Sequence, residues 1–301
     1  MIKPRALEFN DEIGIIAPSG PSFNEEQFTL SIEKVRTLGF KPIIGRSCFM
    51  RDGYLAGSDD IRNSDINIFF ASKSIKAIIA LRGGYGSMRL LNTIDYGAIK
   101  KNPKIFVGYS DITALHSAIN RKLKIITFHG PMVYSDFYRI DKTSERSLLK
   151  SIMDPSYCPS YKIEPIVEGN ITGRIFGGNL TMICSIIGSK YEISYRDKIL
   201  FIEEIGEEPY KIDRMLNQML LRGVFDEVKG VILGQFTDCN PANIDRSFSL
   251  EAVLCDFFKR HNIVSYKGVN IGHDKEKITI PLGVKCRIED SMLIIEESGV
   301  R

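Results

Sequence analysis

The sequence predicts an α/β protein in two parts, a parallel sheet covered by helices on both faces and then a mixed α/β half with a strand-rich end. Three observations carry this. Short apolar runs alternate with helix-period segments as far as about residue 130, and those runs are too uniformly apolar for a strand with one wet face. The rhythm then breaks near residue 150, where DPSYCPSYKIEP places three prolines in twelve residues. With 301 residues, 44% of them hydrophobic and 26% charged, the chain has ordinary globular composition and room for two medium domains.

The first strand is IGIIAP (13–18), followed by a helix from about Asn24 to Leu38 that Gly39 terminates, and then KPIIG (41–45). Ser58 with Asp59 and Asp60 reads as the N-terminus of a helix reaching Phe70, because such side chains accept hydrogen bonds from orphan amides. IKAIIA (75–80) leads into the turn RGGYG and a short helix; KIFVG (104–108) leads into YSD and a helix to about Asn120; KIITF (124–128) leads into HGPM. Beyond the proline-rich stretch come RIFGGN, a helical run from Leu180 to Ile187, the strand KILFIEE (198–204) and the helix PYKIDRMLNQMLLRG. KGVILGQF (229–236), a helix near 249–260 and the β-rich end ITIPLGVKCRIEDSMLIIEE follow. The expected division is a first domain over 1–150, a linker over 151–170 and a second domain over 171–301.

Forty basic against 37 acidic residues leave a formal charge of +3, too small a bias for nucleic acid or an anionic membrane as the main partner. A small molecule or peptide is the expected substrate. Six cysteines form no C-x-x-C pair, and Cys184 and Cys255 stand in apolar runs, so buried thiols in a reducing compartment are expected. No apolar stretch approaches the length of a membrane span, and the opening segment carries acids where a signal peptide would be apolar. A cytoplasmic location is expected.

Ligands of an open parallel sheet bind beyond the carboxyl ends of its strands, where loops and helix N-termini aim backbone amides into one crevice. RGGYG (82–86), GYSD (108–111) and FHGP (128–131) fall on such ends. In GYSD a tight elbow would thrust Ser110 out of the sheet and leave the Asp111 amide facing an oxyanion, although Ser110 or Asp111 could equally cap the helix. RGGYG is either a plain turn or a pair of glycines that lets amides approach a ligand. It is not a dinucleotide fingerprint, since Arg89 stands where a third glycine is needed, and neither H-E-x-x-H nor a Cys/His cluster marks a metal site. No cofactor and no metal are expected.

A serine nucleophile needs a base, and four histidines are available. His261 ends a basic helix, where the helix dipole gives it a structural role, and His116 lies inside the helix after the elbow. His129 at a strand end and His273 in the turn IGHDKEK remain open alternatives. Strand alternation puts Glu203 and Glu204 on opposite faces, so one of them can face a cleft; the run EEIGEE as a whole would ordinarily be a solvated face.

These segments together resemble the LD-carboxypeptidase family of serine peptidases. The resemblance rests on IGIIAPSGP, YLAGSDDIRNSDIN, ALRGGYGSMRLL, FVGYSDITALH, FHGPM, GRIFGGNL, LFIEEIGEEPYKIDRML, GVILGQF and GHDKEKITIPLG, in family order and nearly end to end. It implies a flavodoxin/Rossmann-like N-terminal domain and a β-rich, swivelling-barrel-like C-terminal domain. It also implies a Ser-Glu-His triad of Ser110, Glu203 and His273, with His129 left as a structural residue. The oxyanion donors would be the amides of Gly84 and Asp111. The implied reaction releases terminal D-Ala from murein tetrapeptides during peptidoglycan recycling, by a protein that is commonly a homodimer.

Two other functions compete. A branch similar to the microcin C self-immunity peptidase uses the same triad on aminoacyl nucleotide analogues, and stacks the base on aromatics including tryptophan; this chain has none. A non-catalytic sugar- or peptide-binding protein would keep Ser110 only as a helix cap. An exopeptidase must also recognise a free carboxylate, for which Arg82 and Arg89 flank the glycine turn.

Overall fold

A computed structural model describes the whole chain, residues 1–301, as two compact units. The first comprises Met1–Tyr157, Lys275–Gly283 and Ser298–Arg301; the second comprises Cys158–Asp274 and Val284–Glu297. The expected boundaries are therefore corrected twice. Residues 151–170 are not a linker, because they finish a helix and then form two strands, and two short pieces of the expected second domain return to the first.

The first unit is built on β1 (Glu12–Ile16), β2 (Lys41–Ile44), β3 (Ile75–Ala80), β4 (Ile105–Gly108) and β5 (Thr127–His129). These pair in parallel in the spatial order 5-4-3-1-2. That is a doubly wound order, whose ligand crevice opens where the chain reverses direction, between the ends of β1 and β3. Ile13, Ile15, Ile16, Ile78, Ile79, Phe106 and Val107 are all buried, as strands covered on both faces require. The covering helices are α1 (Glu25–Thr37), α2 (Asp59–Ala71), α3 (Tyr96–Lys101), α4 (Thr113–Leu123), α5 (Val133–Asp136) and α6 (Lys142–Met153). Asn24 caps α1 through the Gln27 amide at 2.8 Å, and Asp141 caps α6 through Thr143 and Ser144. β5 is shorter than KIITF suggests, because α4 runs on to Leu123 and Lys124 then turns left-handed at φ 57°.

The second unit carries β6 (Ser160–Lys162), β7 (Glu164–Val167), β8 (Ile171–Asn179), β9 (Lys198–Ile205), β10 (Gly230–Thr237) and β11 (Ser265–Lys267). Its helices are α7 (Leu180–Ile186), α8 (Pro209–Leu221), α9 (Val224–Glu227) and α10 (Leu250–Arg260). The terminal strands then divide. β12 (Ile280–Leu282) adds antiparallel to β5 in the first unit, whereas β13 (Lys285–Glu289) and β14 (Met292–Ile295) join the second. The second sheet runs 6-14-13-8-9-10-11-7, parallel only from β8 to β11. Its two edge strands, β6 and β7, are separated in the chain by Ile163 alone. One residue cannot span a flat eight-stranded sheet at about 4.8 Å per strand, so the sheet curls until its edges meet, which gives the barrel-like character.

No helix is long and apolar enough to cross a membrane. All six cysteines are free thiols; Cys184 is buried as expected, while Cys255 is only partly covered. Burial pushes the Cys184 thiol up to about 12.

Candidate active site

In the first unit, β4 ends at Gly108 and the chain turns through Tyr109 into a short 3-10 turn, Ser110–Ile112, ahead of α4. Gly108 has no room for a side chain, since a Cβ there would stand 2.8 Å from Ile112. Ser110 takes φ 63°, a left-handed conformation that costs a non-glycine residue about 1–3 kcal/mol and that the surrounding loops must therefore hold in place. Neither Ser110 nor Asp111 caps the helix that follows. Capping therefore does not explain this motif.

The Asp111 carboxylate instead turns inward. It accepts from Ser19 Oγ at 2.5 Å and from the Ser87 amide at 2.8 Å, while Ser87 Oγ donates to the Asp111 carbonyl at 2.6 Å. Burial pushes this carboxyl upward, and the Ser19 and Ser87 hydrogen bonds hold it back toward the charged form. Arg62, fully buried on α2, makes the opposite clamp: Nη1 donates to the Pro18 carbonyl at 2.5 Å and to the Gly86 carbonyl at 3.0 Å, and Nη2 pairs with Asp59. Burial lowers the Arg62 pKa and Asp59 opposes the shift. Two buried groups of opposite charge thus each tie the loop after β1 to the turn after β3.

That turn is RGGYG. Gly83 lies against Ser110, for a Cβ added there would stand 2.9 Å from both Cβ and Oγ of that serine. Gly84 has φ 113°, which L residues rarely adopt, and its Cβ position faces the backbone of Gly20. The Gly20 amide donates to the Gly83 carbonyl at 3.1 Å.

In the second unit β9 is an interior strand, so both Glu203 and Glu204 are buried and this part of the acidic run is not a solvated face. Glu204 accepts from Asn179 Nδ2, the Thr181 amide and Thr181 Oγ1 at 2.7–2.8 Å, fastening the start of α7. Glu203 points the other way, and its Oε2 accepts from His273 Nδ1 at 2.7 Å. A carboxylate can only accept, so Nδ1 is the donor in this pair. The His273 turn is seated on β10: the Gln235 amide donates to the Ile271 carbonyl at 2.7 Å, and Gln235 Oε1 accepts from the Asp274 amide at 3.1 Å. Gly234 is required there because a Cβ would stand 2.3 Å from the Ile271 carbonyl oxygen.

The other histidines occupy different places. His129 is buried in the first unit with its ring 5.8 Å from that of Tyr109. His116 is buried with Nε2 2.9 Å from the Gly108 carbonyl, and His261 terminates α10 against Phe257.

Sequence reasoning missed Gly83, Arg62, the Asp111 carboxylate, Gln235 and Lys277. Lys277 is buried with Nζ 2.6 Å from Asp136 Oδ1 and 4.8 Å from the centre of the Tyr109 ring. One signal was available: Arg62 shares a helical face with Ile66, Phe69 and Phe70, all buried. A cation on an apolar stripe must have internal partners.

Comparison with known proteins agrees with this architecture. The signature of the LD-carboxypeptidase N-terminal domain matches residues 13–130, and that of the LD-carboxypeptidase C-terminal domain matches residues 172–288. A probable murein peptide carboxypeptidase of Bacillus subtilis (strain 168) is 36% identical over 99% of this chain and 95% of its own length. The solved structure of the microcin C7 self-immunity protein MccF in complex with aspartyl sulfamoyl adenosine superposes with a TM-score of 0.93 at 27% identity, covering 100% of both chains. Muramoyltetrapeptide carboxypeptidase from Oxalobacter formigenes superposes with a TM-score of 0.86 at 28% identity, covering 94% of this chain and 98% of its own.

Proposed function

This chain belongs to the LD-carboxypeptidase family and is a serine-type carboxypeptidase, and we propose that it releases the terminal D-Ala of murein tetrapeptides with Ser110, His273 and Glu203 as its triad. The observation that carries the proposal is the 2.7 Å hydrogen bond from His273 Nδ1 to a fully buried Glu203. A carboxylate so placed holds the imidazole in the tautomer whose Nε2 accepts a proton. Nε2 takes the Ser110 proton as Oγ attacks the carbonyl carbon, and the amides of Gly84 and Asp111 stabilise the oxyanion. His273 then returns the proton to the departing D-Ala amine, and a water activated by the same imidazole releases the tripeptide.

Two further observations support this assignment. Ser110 is held in the left-handed conformation of a nucleophile on a sharp elbow. Lys277, only four residues after His273 in the sequence, is buried against Tyr109, the residue before Ser110.

The test is conversion of tetrapeptide to tripeptide by wild type beside Ser110→Ala, His273→Ala and Glu203→Gln. Each substitution is expected to lower kcat by about 10⁴-fold, with the folded state retained. Ser110→Ala turning over at the wild-type rate would sink the assignment, and so would loss of wild-type activity in excess EDTA. The similarity to MccF bound to aspartyl sulfamoyl adenosine favours a second reading, cleavage of aminoacyl nucleotide analogues. Offering both substrates and weighing the products by mass spectrometry separates the two.

A further inference from the structure

The cations around the glycine turn differ in whether a carboxylate already neutralises them. Arg89 directs Nε to both oxygens of Asp59 at 2.9 Å, Arg62 is buried on Asp59 and two carbonyls, and Lys277 is paired with Asp136. Arg89 is thereby removed from the role that its position in the sequence suggested. Arg82 has no carboxylate partner. Its Nη1 donates to the Pro21 carbonyl at 3.2 Å, and its guanidinium stands 5.0 Å from the centre of the Phe23 ring. Arg51, exposed and also without a carboxylate, stands 5.1 Å from the same ring.

We propose that Arg82, assisted by Arg51 across Phe23, recognises the free C-terminal carboxylate of the peptide substrate. This rests on the carboxypeptidase activity assigned to Ser110 above. The geometry of a one-residue leaving group demands a cation close to the nucleophile, because the carboxylate carbon lies only about 2.5 Å from the scissile nitrogen. Arg82 immediately precedes Gly83, the residue that packs on Ser110. A planar guanidinium fork matches a carboxylate in two parallel hydrogen bonds, and most of the donors of Arg82 remain beyond the one given to Pro21. The ring and the Pro21 carbonyl fix its direction before substrate arrives, so little ordering remains to be done on binding. Two guanidiniums sharing one aromatic ring also repel each other, and an anion between or beside them relieves that repulsion.

The experiment compares a tetrapeptide ending in free D-Ala with the same peptide ending in D-Ala carboxamide. Wild type should favour the acid by about 10–100-fold in kcat/KM, the worth of a charge-assisted pair. Arg82→Gln should lose that factor on the acid, mainly through KM, and change little on the amide, so that the preference collapses. Arg82→Lys should recover part of it, and Arg51→Gln should reduce it several-fold. Equal losses on both substrates would assign Arg82 a purely structural role and overturn the proposal, as would no loss on either, or a wild type indifferent to the amide. If Arg82→Gln does not fold, Arg82→Lys and Arg51→Gln decide by the same ratio. Failure of the underlying mechanism is read separately, as Ser110→Ala retaining activity on both peptides.

Discussion

Gly83→Ala tests the position of Ser110, the nucleophile proposed above, separately from its chemistry. The φ of Gly83 lies outside the left-handed region, so alanine adds no backbone strain, and its only new atom would stand 2.9 Å from Cβ and Oγ of Ser110. Ordinary contact begins at 3.4 Å, so Ser110 must retreat by about half an ångström. Rotating the serine hydroxyl relieves the Oγ contact but not the Cβ contact, so the elbow itself has to move. Since a 1 Å misplacement of a reacting group costs about 10²-fold, the expected fall in kcat is about 10–100-fold, or roughly 1.4–2.7 kcal/mol of barrier. Folding stability should barely change, because the entropy gained from Gly to Ala offsets the local crowding. The assay is tripeptide formation at saturating tetrapeptide, with a thermal melt run on the same preparation. Gly84→Ala is the control: its φ of 113° should lower both the melting temperature and kcat. Gly83→Ala with wild-type kcat would refute the placing of the reaction at Ser110.

Two predictions concern the supports beneath the elbow. Burial drives the His116 imidazole down to about 4, with the Gly108 carbonyl opposing. The folded pKa lies below the unfolded value of about 6.5, so the unfolded chain takes up the proton first, and the stabilisation present above pH 6.5 is lost as pH falls toward 4. Roughly 2–3 kcal/mol should disappear between pH 7 and 4.5, and urea midpoints should show a flatter pH slope for His116→Asn. Lys277→Met leaves the nearly buried Asp136 carboxylate without its cation and should destabilise by about 3–5 kcal/mol. The double variant Lys277→Met/Asp136→Leu should recover part of that loss in thermal unfolding, and a double variant less stable than the single one would contradict the ion-pair account.

The sequence carried the alternation of strands and helices plainly, because strands buried on both faces leave uninterrupted apolar runs such as IKAIIA and KIFVG. It could not carry sheet membership at the C-terminal end. ITIPLG and VKCRIEDSMLII both read as strand sequence, yet Ile280–Leu282 pairs with β5 in the first unit and Lys285–Glu289 pairs with β8 in the second. Local periodicity holds no information about the partner. The prolines at 155, 159 and 165 suggested a linker, but Pro165 is tolerated because β7 is the edge strand of its sheet. Ser110 and Asp111 were legible as a strand-to-helix elbow. Which acid meets His273 followed only from the family resemblance, which implied Glu203, since alternation distinguishes the two faces of β9 without saying what covers each.

Arg62 and Asp111 hold the glycine turn in place from outside it, which the proposed role of its backbone amides as oxyanion donors requires. Gly83 gives the turn its close approach to Ser110, and Gly84 and Gly86 take φ 113° and 129°, but these three positions contribute no side chain that could pack the turn in place. A turn so flexible would sample many peptide-plane orientations, and an oxyanion donor works only when its N–H is already aimed. The structure supplies rigidity from outside the turn. Arg62 donates to the carbonyls of Pro18 and Gly86, and Asp111 accepts from Ser19 Oγ and the Ser87 amide, so both ends of the contact between the two loops are fastened at neighbouring residues. Burying either charge alone would be costly. Complementary charges, each with hydrogen-bond partners of its own although Arg62 Nε and Asp111 Oδ1 have none, make the arrangement tolerable and hold the turn from outside.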